Sequence, residues 1–196
     1  MNHTERKYRM IQKRMRSEKG AKLQLGSGRM PLEGFINLDV VRLPGTDVVA
    51  DLEKSLPFED DAFDLVYSRH TLEHVGNTLG LLSEIHRITK SSGRIEIEVP
   101  HPSYIFMFCD PTHKHFFTLH SFDYFQEKNE FDFYTSVRFK ILRKSVQFTG
   151  GRFKLFNLIS SVVNICSFTQ DLWERFCWWL PMENLFIILQ PVKKRG

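Results

Sequence analysis

The stretch Ala21–Val40, AKLQLGSGRMPLEGFINLDV, constrains this chain more than any other. An apolar run at Leu23 and Leu25 enters the glycine turn Gly26-Ser27-Gly28, and a second run, Phe35, Ile36 and Leu38, ends on the carboxylate Asp39. Two glycines after a buried strand let the backbone approach a ligand where a Cβ would collide. An acid closing the next strand is placed to hold the ribose hydroxyls of a nucleoside-bearing cofactor. Only about ten residues separate the two strands, whereas a helical crossover between parallel neighbours needs a dozen or more. The link Ser27–Gly34 also contains Pro31. A loop or a single turn is therefore expected there, with little helix N-terminus to hold a pyrophosphate.

The next sixty residues repeat short apolar runs between turns. Val48-Val49-Ala50 ends at Asp51-Leu52, and FDLVY at 63–67 follows the acidic turn Glu59-Asp60-Asp61. Asn77 or Thr78 can cap a helix in which Leu79, Leu82, Ile85 and Ile88 recur at helical spacing. Ser91-Ser92-Gly93 is expected to stop that helix, and Arg94–Val99 alternates into a fifth strand. This order predicts an α/β domain built on a mostly parallel sheet. Residues 101–126 read as a loop rich in histidine and aromatics, with a short helix near Ser121–Phe125. Phe133–Ile141 reads as a strand that Val146–Phe148 continues or pairs with, and Gly150-Gly151 as a turn. Residues 155–180 are expected to be helical in two pieces, the second Asp171–Leu180, before a closing strand at Asn184–Gln190.

Charge divides the chain in two. Residues 1–20 carry seven basic side chains against Glu5 and Glu18, so the formal +4 leaves the remaining residues at a net −1. Tyr8, Ile11 and Met15 share one helical face, and this leader is expected to be a basic helix or tail. It packs as a lid, touches an anionic membrane surface peripherally, or stays frayed; its apolar face is thin for membrane binding. Residues 21–196 then form one domain, long enough for a sizeable core. A nucleic-acid partner is disfavoured, because the folded body lacks a basic excess. Three cysteines without CxxC spacing and no apolar leader segment point to a reducing, cytoplasmic location.

LQLGSG at 23–28, NLDV at 37–40, DVVADL at 47–52, LPFEDDAFDLVYSRHTLEHV at 56–75 and EIHRITKSSGRIEIEVP at 84–100 occur in series. Together they resemble the class I S-adenosylmethionine-dependent methyltransferases, specifically the methyltransferase type 11 group. The resemblance is strong over about 21–100 and looser to the closing strand. It implies a Rossmann-like, seven-stranded, mostly parallel sheet with an antiparallel last strand, here with a shortened first crossover. It also implies S-adenosylmethionine as cofactor, with residues 101–150 inserted on the acceptor side. Gly26, Ser27 and Gly28 resemble the turn beneath the methionyl tail, Asp39 the ribose acid, and Asp51 with Leu52 the adenine contacts. Ser68 and His70 follow the fourth strand, where the family places cofactor and acceptor contacts. Two departures stand out: Met30 replaces a third glycine, and Ser91-Ser92-Gly93 stands where Pro-Gly-Gly is common.

The sulfonium of that cofactor is positive and already carries an activated methyl, so the protein's task is orientation and preorganisation. An oxygen acceptor would benefit from a base, and histidine is the natural one near neutral pH. His74, His113 and His115 are the catalytic candidates; His101 and His120 lie in the same stretch. No metal is expected, since Cys109, Asp110, His113 and His115 match no standard zinc spacing. Phe106, Phe108, Phe116, Phe117, Phe122, Tyr124 and Phe125 form either core or an acceptor box. Exposure of Trp178-Trp179 would favour a dimer or a membrane contact. Methyl transfer to a small or medium-sized acceptor, possible at oxygen, is the leading expectation, and the acceptor is a small molecule or lipid- or saccharide-like. A non-catalytic binding protein of the same fold and an NAD-dependent oxidoreductase are the alternatives, and a monomer or homodimer is left open.

Overall fold

The computed structural model describes residues 19–127, 134–148 and 157–193. The N-terminal basic segment, apart from its last two residues, and the Gly150-Gly151 turn expected from the sequence lie outside the described residues. Seven strands form one sheet: β1 Lys22–Leu25, β2 Ile36–Asp39, β3 Val48–Val49, β4 Phe63–Arg69, β5 Thr89–Pro100, β6 Phe139–Gln147 and β7 Asn184–Pro191. Their spatial order is β3-β2-β1-β4-β5-β7-β6. β1 pairs in parallel with both β2 and β4, β3 with β2, and β5 with β4. β7 is antiparallel to both of its neighbours, as expected for the closing strand.

The first crossover contains no helix. Residues 26–35 are turns and irregular backbone, and two strand side chains replace the missing helical hydrogen bonds. Gln24 Oε1 accepts the Leu32 N–H at 2.8 Å, and its Nε2 donates to the Met30 carbonyl at 3.2 Å. Asn37 Oδ1 also accepts Leu32 N–H at 2.8 Å, while its Nδ2 donates to the carbonyls of Leu32 and Phe35. Both amides are buried. A loop packed on a sheet must have its backbone polar groups satisfied, and these side chains satisfy them. Beneath the loop Leu32, Phe35, Leu65 and Tyr67 make a small apolar cluster of their own.

Helix α1, Thr78–Ile88, covers the other face. Asn77 caps it, its Oδ1 accepting the Gly80 N–H at 2.9 Å. The buried stripe is Leu81, Leu82, Ile85 and Ile88; Leu79, which the spacing also favoured, lies in the first turn on the solvent side. Ser91-Ser92-Gly93 does not stop the helix. Thr89 ends it, with both its N–H and its hydroxyl on the Ile85 carbonyl, and begins β5 directly. The Ser-Ser-Gly residues instead form a wide bulge: Phe63 pairs with Thr89, and Leu65 next pairs with Arg94. A Cβ on Gly93 would stand 2.8–3.0 Å from Thr89, Lys90 and Phe63 atoms, so the bulge requires the glycine.

The later half departs from the sequence expectation in boundaries rather than kind. β6 is one strand over 139–147, bent by a register shift between Ile141 and Arg143. Two 3-10 turns, Ile105–Phe108 and Asp123–Phe125, interrupt the loop after β5. The two late helices are α2, Asn157–Val163, and α3, Ser167–Arg175. α3 starts earlier than expected because Thr169 Oγ1 accepts the Cys166 N–H at 3.1 Å, closing the first turn. It ends at Phe176, and the Trp173 indole reaches on to the Leu180 carbonyl at 3.0 Å. Among the described residues no helix is long and apolar enough to cross a membrane.

Candidate cofactor and acceptor site

The glycine turn and the strand-two acid meet directly. Gly28 N–H donates to Asp39 Oδ2 at 2.7 Å, and Val41 N–H donates to Asp39 Oδ1 at 3.0 Å. Gly26 and Gly28 both have left-handed backbone, with φ of 62° and 51°. Their surroundings differ. A Cβ on Gly26 would stand 2.2 Å from Thr71 Oγ1, whereas nothing lies within 4 Å of a Cβ position on Gly28. Gly26 is thus demanded by packing against the protein, and Gly28 faces open space. A cleft of about 150 Å³ opens here, lined among others by Ser27, Gly28, Met30, Tyr67 and Arg69. Met30, standing where a third glycine was expected, forms part of its wall.

Asp51 leaves β3 and accepts the Glu53 N–H at 2.9 Å on Oδ1, which is turn chemistry; Oδ2 stands 3.5 Å from Lys54 Nζ. Leu52 packs partly buried against the main core. Ser68 is still within β4 and buried, and its hydroxyl and that of Ser27 have no hydrogen-bond partner among the described residues. His70 ends the strand with a left-handed φ of 49°, a conformation uncommon outside glycine. Its ring lies between two buried acids: Nδ1 is 3.4 Å from Glu73 Oε1, and Nε2 is 3.9 Å from Glu98 Oε1.

Of the three catalytic candidates, two come together. His74 and His113 have ring centroids 4.7 Å apart, beside the buried Glu73. His115 turns away, its Nε2 against the Gly76 carbonyl at 3.1 Å. The loop carrying them is strapped to the Leu72–His74 turn, because Lys114 and His115 N–H both donate to the Glu73 carbonyl. Glu53 reinforces this corner. It accepts the Gly76 and Asn77 N–H groups, which hold its carboxyl below the usual range. His101 is buried against Ser103, at 2.8 Å, and Glu174, at 3.4 Å, as a structural residue. His120 sits among Asp123, Asp171 and Glu174 at the surface.

The aromatic segment splits between both sequence readings. Phe117, Phe122 and Phe125 are core, while Phe106, Phe108 and Phe116 are exposed. Phe108 and Phe116 pair at 5.4 Å on either side of His113 in sequence. Trp178 and Trp179 are exposed as well, Trp179 at 89%. Sequence reasoning missed Arg69, Glu73, Gln24 and Asn37. Glu73 lay in view within the LEH stretch, but nothing in a lone acid between Leu and His predicts complete burial.

Comparison with known proteins agrees with this geometry. Residues 32–97 match the family model described as a methyltransferase domain. A demethylmenaquinone methyltransferase of Streptomyces avermitilis is 36% identical over 72 residues, which are 36% of this chain and 31% of that protein. The chain thus matches about a third of that relative's length. An S-adenosylmethionine-dependent methyltransferase from Mesorhizobium loti superposes with a TM-score of 0.57 at 16% identity, covering 92% of this chain and 95% of that one. The [4+2]-cyclase SpnF superposes with a TM-score of 0.58 at 15% identity, covering 96% and 82%. Residues 32–97 thus match a methyltransferase domain, and the sheet that carries them shares the fold of that solved S-adenosylmethionine-dependent methyltransferase structure.

Proposed function

We propose that this protein binds S-adenosylmethionine and transfers its methyl group to a small or medium-sized acceptor. The observation that carries this reading is the 2.7 Å hydrogen bond from Gly28 to Asp39, which brings the turn and the acid together as one shared ligand would require. A carboxylate offers about four lone-pair sites, and two backbone N–H groups leave room on Asp39 for two ribose hydroxyls. The cleft below is smaller than the roughly 300 Å³ of an ordinary small-molecule pocket, so it suits one end of the cofactor. We assign that end to the amino-acid tail: Gly28 leaves space for it, and Arg69, which lines the cleft while its Nε stands 3.4 Å from Glu98 Oε2, is the nearby cation for its carboxylate. Asp51 and Leu52 are assigned to the adenine, and Ser68 and His70 to the sulfonium end.

When bound, the cofactor supplies a methyl group on a positive sulfur. The chain then has to hold the acceptor in line and exclude water. We assign acceptor binding to the segment after β5, where the exposed Phe106, Phe108 and Phe116 offer an apolar wall. An oxygen acceptor is the finer reading, with His74 and His113 rather than His115 as the groups beside it. Trp178 and Trp179, with exposed Phe168 and Phe176, favour a lipid-like acceptor met at a membrane surface over a saccharide-like one. An NAD-dependent oxidoreductase is opposed by the helix-free crossover. The cyclase that shares this fold shows that the fold does not decide the chemistry, so turnover has to be measured.

Titration calorimetry with S-adenosylmethionine, S-adenosylhomocysteine and NAD tests the cofactor. Binding of the first two and not the third is expected; binding of NAD alone would overturn the reading. Release of S-adenosylhomocysteine in the presence of apolar hydroxyl-bearing acceptors then separates an enzyme from a binding protein.

A further inference from the structure

At the carboxyl edge of β4 and β5 the fold buries a carboxylate completely: Glu73 is 0% exposed, and among the described residues neither of its oxygens has a hydrogen-bond partner. The His70 ring stands beside it, with Nδ1 3.4 Å from Oε1. A charge buried in this way is costly unless a second charge compensates it. Among the described residues, one donor atom each from Glu73, His74 and His113 lies within 4.8 Å of the other two.

The hydrogen bonds around the two rings decide which nitrogens carry protons. His113 Nδ1 lies 2.7 Å from the Met107 carbonyl, which can only accept, so Nδ1 carries a proton and Nε2 is the nitrogen that holds the lone pair of the neutral ring. Thr112 donates its hydroxyl proton to Asp110 Oδ1 at 2.6 Å. Its oxygen, 2.8 Å from His74 Nδ1, is therefore an acceptor, and His74 too is protonated at Nδ1 with Nε2 free. Pinning one ring nitrogen to a carbonyl or a carboxylate-linked hydroxyl is how proteins orient imidazoles as metal ligands. Asp110 Oδ2 stands 3.9 Å from His113 Nε2, within reach as a further oxygen.

We propose that Glu73, His74 and His113 form a site for a divalent transition-metal cation of the zinc class. Two imidazoles and one carboxylate with a position left open is a known donor set for zinc and for ferrous iron. Ligand atoms around a tetrahedral ion with bonds of about 2.1 Å are some 3.4 Å apart, so donors at the 4.8 Å limit close by about 1.4 Å on binding. The set differs from the one that sequence spacing offered. Cys109 Sγ is directed to the Ile105 carbonyl and His115 to the Gly76 carbonyl, so neither joins. The site does not depend on methyl transfer. It uses imidazole lone pairs that an acceptor-side base would also need, so metal binding and base catalysis exclude one another at His74 and His113.

The test uses the untagged full-length chain, stripped with a chelator and titrated with zinc chloride and manganese chloride by calorimetry. Metal content after dialysis is read by plasma mass spectrometry. One equivalent of zinc is expected, weakened more than about 100-fold by His113→Ala or Glu73→Gln and about 10-fold by Thr112→Val, which only orients His74. Binding must survive His120→Ala, which removes the surface histidine–carboxylate cluster. Circular dichroism confirms that each variant is folded, and zinc must raise the melting temperature of the parent but not of His113→Ala. Absence of saturable binding, binding unaffected by His113→Ala, or binding lost in His120→Ala would each overturn the assignment.

Discussion

The Thr71 side chain occupies the space that a Cβ on Gly26 would need, at 2.2 Å from its hydroxyl oxygen. That hydroxyl also donates to the Arg69 and Leu25 carbonyls, at 3.1 and 3.3 Å, so it is not free to move. Gly26→Ala is therefore expected to lower stability by about 2 kcal/mol or more, through both the clash and the left-handed φ. Gly28→Ala meets no clash and carries only the backbone cost, about 1 kcal/mol. Its larger effect is on cofactor affinity. Thermal melts paired with S-adenosylmethionine titration check this; equal stability losses with unchanged affinity would contradict it.

Asp39 both shapes the turn and, in the proposed reading, holds the ribose. Asp39→Asn keeps one oxygen that can accept from Gly28 or Val41, while Asp39→Ala keeps none. Ala is expected to cost affinity for S-adenosylmethionine by about 100-fold and Asn by about 10-fold, the difference of a charge-assisted hydrogen bond. Calorimetry on both variants reads it, and two variants as tight as the parent would remove Asp39 from the site.

Glu84 and Arg87 give the fold an acid-sensitive clasp. Arg87 bonds both Glu84 oxygens and also reaches the Phe58 and Leu56 carbonyls and Asp60, tying α1 to the 56–60 turn. The Arg87 guanidinium is the main reason that the Glu84 carboxyl is pulled down to about 2 from its ordinary 4.5. Because the folded pKa is depressed, the stabilisation is fully present above about 4.5 and is lost as pH falls toward 2. The contribution at neutral pH is on the order of 2–3 kcal/mol. Glu84→Gln is expected to lower stability at pH 7 and to flatten its decline between pH 5 and 2, measured by urea unfolding at each pH.

The exposed Trp178 and Trp179 predict a membrane contact that does not need the N-terminal segment. Sedimentation with vesicles of anionic phospholipid is expected to carry the protein down, and a Trp178→Ser, Trp179→Ser double variant to reduce the bound fraction several-fold. Retention of full binding would move the contact elsewhere.

The parallel sheet and the meeting of its glycine turn with Asp39 were legible because their signals are local: glycine turn, alternating strands, terminal acids. The helix-free crossover could be read from the ten-residue spacing and Pro31 alone. What closes it was not legible, since Gln24 and Asn37 are amides whose role depends on facing the loop from two adjacent strands. Ser91-Ser92-Gly93 misled because the same residues that end a helix also make a bulge, and only the pairing of Phe63 with Thr89 distinguishes the two. The histidines were visible but their grouping was not. Whether His113 or His115 meets His74 depends on which ring the Met107 and Gly76 carbonyls capture. No periodicity in residues 101–126 records that choice.

The strapped crossover also sets an order of assembly. β1 and β2 are joined across about ten residues, so their loop closes at little entropic cost. β5 meets β7 through pairs such as Ile97 with Ile187, ninety residues apart. During synthesis the corner that joins Gly28 to Asp39 emerges, and can become native-like, well before the ribosome has released the strand that pairs with β5.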